Sequence, residues 1–430
     1  MRERLKQLIV FLLTWEARLV LWRFQPKVIA ITGSVGKTTT KDAIYAALAG
    51  ELYVRRSEKS FNSEIGVPLT ILGLENAWGD PLRWALNLLY GLSNLFQSSY
   101  PAWLILEVGA DRPGDIRRIA RWLKPDIAVI TGVPEVPVHV EYFRSPQELA
   151  REKRSLAEYV KSGGKLILNG DDAHMVELCK DFRGMTIKYG FGSENDFVGG
   201  REEIAYAKGQ PTGMRFRVTH GGSTIPFNIG SVLGRPRAYA ALAALAVAEI
   251  VGVDSVFAST ALGGWQPPPG SMRIIPGLRG STIIDDTYNS SPAAALSALD
   301  TLKYVKAARR IVALGDMLEL GKYATEAHRV LGVQAATLAS KLITVGFRAR
   351  ATSEAALSAG MQDFDVRQYE RTEAERAGKE LKNELREDDV VLVKGSQSMR
   401  MERMVKELMA EPERAHELLV RQDPEWLAKH

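Results

Sequence analysis

A two-part α/β protein is predicted by three features of this 430-residue chain. Short apolar runs end in polar residues and alternate with helical patterns, as in a largely parallel sheet covered by helices on both faces. The first run, Val28-Ile29-Ala30, leads directly into Gly33-Ser34-Val35-Gly36-Lys37-Thr38 and then into a helical pattern starting near Lys41. Further on, Trp265-Gln266-Pro267-Pro268-Pro269-Gly270 interrupts the series, because three successive prolines continue neither a helix nor an inner strand.

Residues 1–27 come first. Leu5, Leu8, Leu12, Trp15, Leu19 and Trp22 recur at alternating spacings of three and four, which makes one apolar helix face, and Arg2, Arg4, Lys6, Glu16, Arg18 and Arg23 supply charge. The neutral run from Gln7 to Trp15 is too short to span a bilayer, and no small-residue cleavage site is present. Two readings stay open: a helix packed on its own domain, or one resting on a membrane surface.

Residues 28–268 are the expected nucleotide-binding unit, with strands near 28–31, 103–106, 127–130 and 166–168. Between Phe197 and Ile229 the alternation of Met214, Phe216 and Val218 with a Gly221-Gly222 turn predicts a small antiparallel insert. The Ala-rich run from Ala238 to Ile250 predicts a close-packed helix. Residues 269–430 form the second α/β unit, with strands near 282–284, 310–314, 342–345 and 390–393. The stretch from Glu411 to His430 reads as one charged helix packed by Leu418, Leu419 and Trp426.

Composition narrows the functional classes. The chain is 46% hydrophobic and 25% charged, with a formal net charge of +5, but its basic residues are interleaved with acids. Nucleic acid could be suggested by that excess, but a polyanionic small substrate accounts for it equally well. Cys179 is the single cysteine, which excludes a disulfide framework and a cysteine metal site and suggests a reducing, cytoplasmic setting.

The loop after the first strand is a nucleoside-triphosphate loop by chemistry. Gly33 and Gly36 let backbone N–H groups turn toward phosphate oxygens, and Ser34, Val35, Lys37, Thr38 and Thr39 complete the cradle at a helix N-terminus. Lys37 is expected to reach the β and γ phosphates, and the Thr38 hydroxyl to ligate magnesium. Ala30 stands where the commonest form of the pattern has its first glycine.

Five further stretches follow in order: Phe61-Asn62-Ser63-Glu64-Ile65-Gly66-Val67-Pro68-Leu69-Thr70, Leu106-Glu107-Val108-Gly109-Ala110, Asp285-Asp286-Thr287-Tyr288-Asn289-Ser290-Ser291-Pro292, Leu314-Gly315-Asp316-Met317-Leu318-Glu319-Leu320 and Val393-Lys394-Gly395-Ser396. With the phosphate loop they resemble the Mur ligase family, in particular members that join D-alanyl-D-alanine to a UDP-N-acetylmuramoyl-tripeptide. The resemblance implies an ATP-dependent amide-bond ligase of peptidoglycan precursor synthesis that works through an acyl phosphate. A central ATPase domain is implied, with a C-terminal Rossmann-like domain closing over it. Other readings are a relative acting on a lipid-linked or non-wall polymer, and a non-catalytic nucleotide-binding module. A monomer is expected.

The resemblance also implies roles for residues. Glu107 and His139 become metal ligands beside Thr38. Lys153 falls where the family carries a lysine carbamylated by carbon dioxide, an anionic ligand for a second Mg2+. Asn169, with Asp171-Asp172, is placed near the nucleotide, and Asp286, Tyr288 and Asn289 at the adenosine. Arg273 is a partner for the transferred phosphate, Asn62 and Glu64 belong to a substrate-side motif, and Lys394 and Ser396 help place the acceptor or acyl phosphate.

Two departures stand out. Where the family has Gly-x-His-Asn followed by a second Asn, this chain has Pro236, Arg237 and Ala240, which cannot make those amide contacts. Adenine is then expected to be held by backbone groups or another residue. Family members also carry a UDP-binding domain ahead of the phosphate loop, where this chain has the apolar helix. The UDP end of the substrate is therefore expected to be bound otherwise, or the acceptor to be lipid-linked and close to a membrane.

Overall fold

The computed structural model describes residues 2–57, 59–137, 139–266 and 268–428. Pro267 of the predicted linker and the last two residues of the predicted terminal helix lie outside them.

A first sheet contains β1 (Lys27–Thr32), β2 (Val54–Arg56), β3 (Trp103–Glu107), β4 (Ile127–Ile130), β5 (Lys165–Asn169), β6 (Met185–Gly190), β7 (Phe197–Ala207), β8 (Gln210–His220) and β9 (Ser223–Gly230). Their spatial order is β2-β3-β1-β4-β5-β6-β7-β8-β9. Pairing is parallel as far as β6–β7 and antiparallel from β7 to β9. The expected antiparallel stretch therefore continues the parallel sheet at its edge. Residues 28–31 are buried on both faces of the sheet, which is why they read as a continuous apolar run.

The second sheet holds β10 (Arg273–Pro276), β11 (Thr282–Asp286), β12 (Arg309–Gly315), β13 (Lys341–Val345), β14 (Val366–Tyr369) and β15 (Asp389–Lys394). Its order is β10-β11-β15-β12-β13-β14, parallel except for the β10–β11 pair. Each sheet has an apolar cluster on either face.

Helices α1 (Arg2–Phe24), α2 (Lys37–Leu48), α3 (Gly66–Leu72), α4 (Pro81–Ser93), α5 (Asp115–Leu123), α6 (Pro146–Glu158), α7 (Ala173–Leu178) and α8 (Arg235–Val251) pack around the first sheet. The alanines of α8 are buried, and their small side chains let α8 lie close against α2.

Two expectations change. In α1 the core contacts come from Leu13, Ala17 and Val20, while much of the stripe read from spacing faces out, with Leu5 51%, Leu8 52%, Trp15 49% and Trp22 77% exposed. Apolar residues lie on both its buried and its exposed sides, so periodicity alone could not choose its buried face. The predicted terminal helix is instead three short turns, Pro412–Arg414, Ala415–Leu418 and Pro424–Leu427. The middle turn ends with Leu419 in extended backbone (ψ 155°), and Pro424 keeps Asp423, with ψ 147°, extended as well.

Candidate active site

The crevice lies at the carboxyl ends of β1, β3 and β4, where the strand order reverses about β1 and α/β sheets bind ligands. Gly33 has φ +145°, and a Cβ there would come 2.0 Å from Thr131 Oγ1. The loop is pinned to the end of β4: the Thr131 hydroxyl donates to Val35 O at 2.6 Å, and Ser34 N donates to Gly132 O at 2.8 Å. Gly36, with φ +81°, begins α2, whose N-terminus has no side-chain cap. The N–H groups of that first turn thus face the crevice ready for phosphate oxygens.

Glu107 is buried at the end of β3, opposite Ile31 of β1. Its Oε2 accepts from the Thr38 hydroxyl at 2.9 Å, and its Oε1 accepts from Ser60 Oγ at 2.7 Å and Asn62 Nδ2 at 2.9 Å. Burial lowers the Lys37 ammonium's pKa, and the carboxylates of Glu107 and Asp111 pull it back up. Asn62 thus belongs to the Glu107 cluster, whereas Glu64 pairs with Lys6 at 3.4 Å and Arg118 at 3.8 Å.

Lys153 is 2% exposed on α6. Ser145 and Pro146 start that helix, Ser145 Oγ accepting from Glu148 N at 3.2 Å. Neighbouring Glu152 holds α6 against α5, accepting from Gly114 N at 2.9 Å and Ile116 N at 2.8 Å. Burial, then repulsion from Lys37, brings the Lys153 amine down to about 7, against the pull of Glu152, Asp111 and Glu107.

His139 has φ +69° and reaches the C-terminal unit, with Nδ1 2.7 Å from Glu319 Oε2 and Nε2 4.0 Å from Asp111 Oδ1. Tyr288 also crosses over, its phenol beside the hydroxyls of Thr38 and Ser60. On the C-terminal side Lys394 is buried, donating to Asp286 Oδ2 at 2.6 Å and Asn289 O at 2.9 Å. Ser396 Oγ accepts from Leu318 N at 2.9 Å and so holds the loop that carries Glu319.

Other candidates sit differently. Asn169 Oδ1 accepts from Asp171 N at 3.1 Å, Asp171 ties down Phe191 N, Gly192 N and Tyr239 OH, and Asp172 caps α7. The two aspartates are thus engaged in turns. Arg273 has Asp285, Glu417 and Arg414 as its charged neighbours, not the phosphate loop.

The cation that does touch the loop is Arg237. It is buried, donating from Nη1 to Thr39 Oγ1 at 2.8 Å and from Nη2 to Ser271 O, while its Nε has no partner among the described residues. Sequence reasoning treated this position only as a lost amide. The retained signal was a cation in the segment entering α8.

Among the described residues no group of three or more His, Cys, Asp or Glu side chains gathers as a metal cage. Mg2+ does not require one, since it is commonly bound by one or two carboxylates together with substrate phosphates and water. The adjoining Thr38 hydroxyl and Glu107 carboxylate suit that donor set.

Against known families, residues 31–248 match the Mur ligase middle domain and residues 272–397 the Mur ligase glutamate ligase domain. The chain belongs to the Mur ligase family. Among curated Mur ligases, it is 29% identical over 399 residues to the UDP-N-acetylmuramoyl-tripeptide--D-alanyl-D-alanine ligase of Bacillus subtilis, covering 92% of this chain and 79% of that protein. The enzyme of the same name from Mycobacterium tuberculosis is 31% identical, with 86% and 70% covered. In fold, the chain is similar to the MurF ligase from Thermotoga maritima in complex with ADP, with TM-score 0.76, 24% identity and coverage of 94% and 84%. MurF from Acinetobacter baumannii gives TM-score 0.75 at 23% identity, with 93% and 80% covered.

Proposed function

We propose that this Mur ligase joins D-alanyl-D-alanine, or a similar amino acid or dipeptide, to the carboxylate of a muramoyl-peptide precursor at the expense of ATP. The observation that carries the reading is the cluster of Lys37, Thr38, Glu107 and buried Lys153 around the phosphate loop. Residues 28–268 bind ATP, and 269–430 close over it. The names of the curated relatives support the choice of substrates.

The acceptor carboxylate attacks the γ phosphorus, the bond to the ADP oxygen breaks, and an acyl phosphate forms. The amine then attacks the acyl carbon, phosphate leaves with the carbon–oxygen electron pair, and the amine's extra proton passes to solvent. Catalysis is positioning and charge neutralisation. Lys37 and the first-turn N–H groups of α2 steady the phosphates. Bound Mg2+ at Thr38 and Glu107, with His139 and a carbamylated Lys153 serving a second ion, would supply further neutralisation. Lys153 gains its carbamate when its neutral amine attacks carbon dioxide and loses a proton. Asn62 keeps Glu107 in place, Tyr288 meets the loop from the C-terminal unit, and Asp286 and Asn289 lie toward the adenosine. On this reading the chain is a monomer working in the cytoplasm, with residues 1–27 against the membrane surface.

The test is phosphate release from ATP with UDP-N-acetylmuramoyl-tripeptide and D-alanyl-D-alanine, each omitted in turn. The proposal expects release that needs both. Release independent of either substrate would overturn it.

A further inference from the structure

Two neighbouring helices turn apolar stripes away from the core. On α1 the outward side carries Leu8, Phe11, Trp15 and Trp22. On α4 it carries Leu82, Leu86 and Leu89, spaced four and three apart and 71%, 42% and 65% exposed. The helices pack side by side where Gly91, the buried residue of α4, lies against the Glu16 carboxylate. Exposed apolar surface on this scale marks an interaction site.

The charge around it indicates the partner. Among the described side chains of α1 the exposed charges are Arg4, Arg18, Arg23 and Lys6, the last paired with Glu64 at 3.4 Å, while Glu16 is buried. The one charged residue within α4 is Arg83, which pairs with the capping Asp80 at 3.5 Å, so α4 itself adds little net charge. At the C-terminal end of α1 a cleft of about 370 Å3 is lined by Arg18, Trp22, Lys27, Trp122, Lys124 and Lys161. Lys27 and Lys161 share Asp126, at 3.3 and 2.8 Å, which leaves the cleft net basic. Apolar stripes rimmed by cations, with tryptophans at the boundary, match the hydrocarbon edge and negative headgroups of a bilayer. Among the described residues no helix is long and apolar enough to cross one.

We propose that α1, α4 and the basic cleft together form a docking surface for an anionic bilayer, lying flat on it without spanning it. This deepens the membrane contact assigned to residues 1–27 and adds a second helix and a headgroup-binding cleft.

The experiment is flotation of the full chain with vesicles of phosphatidylcholine alone or mixed with phosphatidylglycerol, without ATP or peptide substrates. Its outcome is therefore separate from that of the ligase assay. The wild type is expected to float with the anionic vesicles and about tenfold less with the neutral ones. Leu82→Glu with Leu86→Glu should abolish flotation, and Arg18→Glu with Lys124→Glu should lower it about tenfold. All four positions are exposed or line the cleft, and an unchanged melting temperature in each variant would show that folding is intact. Absence of wild-type flotation, or flotation unaffected by both pairs, would overturn the proposal. So would a sedimenting dimer broken by the leucine substitutions, since the stripes would then be an interface between copies.

Discussion

His139 and Glu319 lie on different sheets' units, and their side chains meet at 2.7 Å. Contact with the imidazole holds the Glu319 carboxyl below its usual range. A carboxylate that orients a histidine next to a metal site tunes that histidine's direction and basicity. Here the carboxylate comes from the C-terminal unit, so the histidine is aimed only when the two units are together.

Glu319→Gln should therefore lower kcat by about 10–100-fold with the melting temperature nearly unchanged. Steady-state kinetics and calorimetry check this. Unaltered kcat would mean that the contact is incidental.

The Lys153 amine, at about 7, is mostly charged at pH 6 and mostly neutral at pH 8. Only the neutral amine attacks carbon dioxide. Enzyme stripped of carbon dioxide should regain activity faster at pH 8 than at pH 6 when returned to buffers holding equal dissolved carbon dioxide, as followed by timed phosphate-release assays. Lys153→Ala should be inactive and partly restored by short carboxylic acids. Full activity in the variant would rule out the carbamate.

Glu16 is 3% exposed, its Oε2 has no hydrogen-bond partner among the described residues, and burial raises it to about 7. Folded protein thus binds more protons than unfolded chain between about 4.5 and 7, and stability falls as pH rises through that window. The full swing is roughly 3 kcal/mol at most. Glu16→Gln should raise the melting temperature at pH 8 and change it little at pH 4. Equal shifts at both pH values would contradict the assignment.

Arg237 links Thr39, beside the phosphate loop, to Ser271, beside the second sheet. Arg237→Met removes the charge-assisted bond to Thr39, worth ~1.5–3 kcal/mol, and by loosening the phosphate loop should weaken ATP binding by up to about tenfold. Isothermal titration with a non-hydrolysable ATP analogue measures this. Unchanged affinity would leave Arg237 a packing residue.

The inner strands were legible because runs such as 28–31 are buried on both faces and bounded by turn residues, whereas β2, β6, β10 and β14 lack such runs. The phosphate loop was legible because its glycines and lysine are close in sequence. The buried face of α1 was not, since apolar residues surround that helix and tertiary contacts with α3 and α4 select Leu13, Ala17 and Val20. Helix α4 went unread even though Asp80 and Pro81 form a proper start for it, with Asp80 accepting from Leu82 N. The His139–Glu319 and Arg237–Thr39 contacts join residues far apart in the chain. No local spacing could announce them.

Activation of the carboxylate as an acyl phosphate moves one carboxylate oxygen into the released phosphate. Its most direct test is transfer of 18O from a carboxylate-labelled muramoyl-peptide acceptor, read by mass spectrometry of the released phosphate. One 18O atom is expected in each phosphate formed with amide product. Unlabelled phosphate would contradict it, because ATP would then be hydrolysed by water.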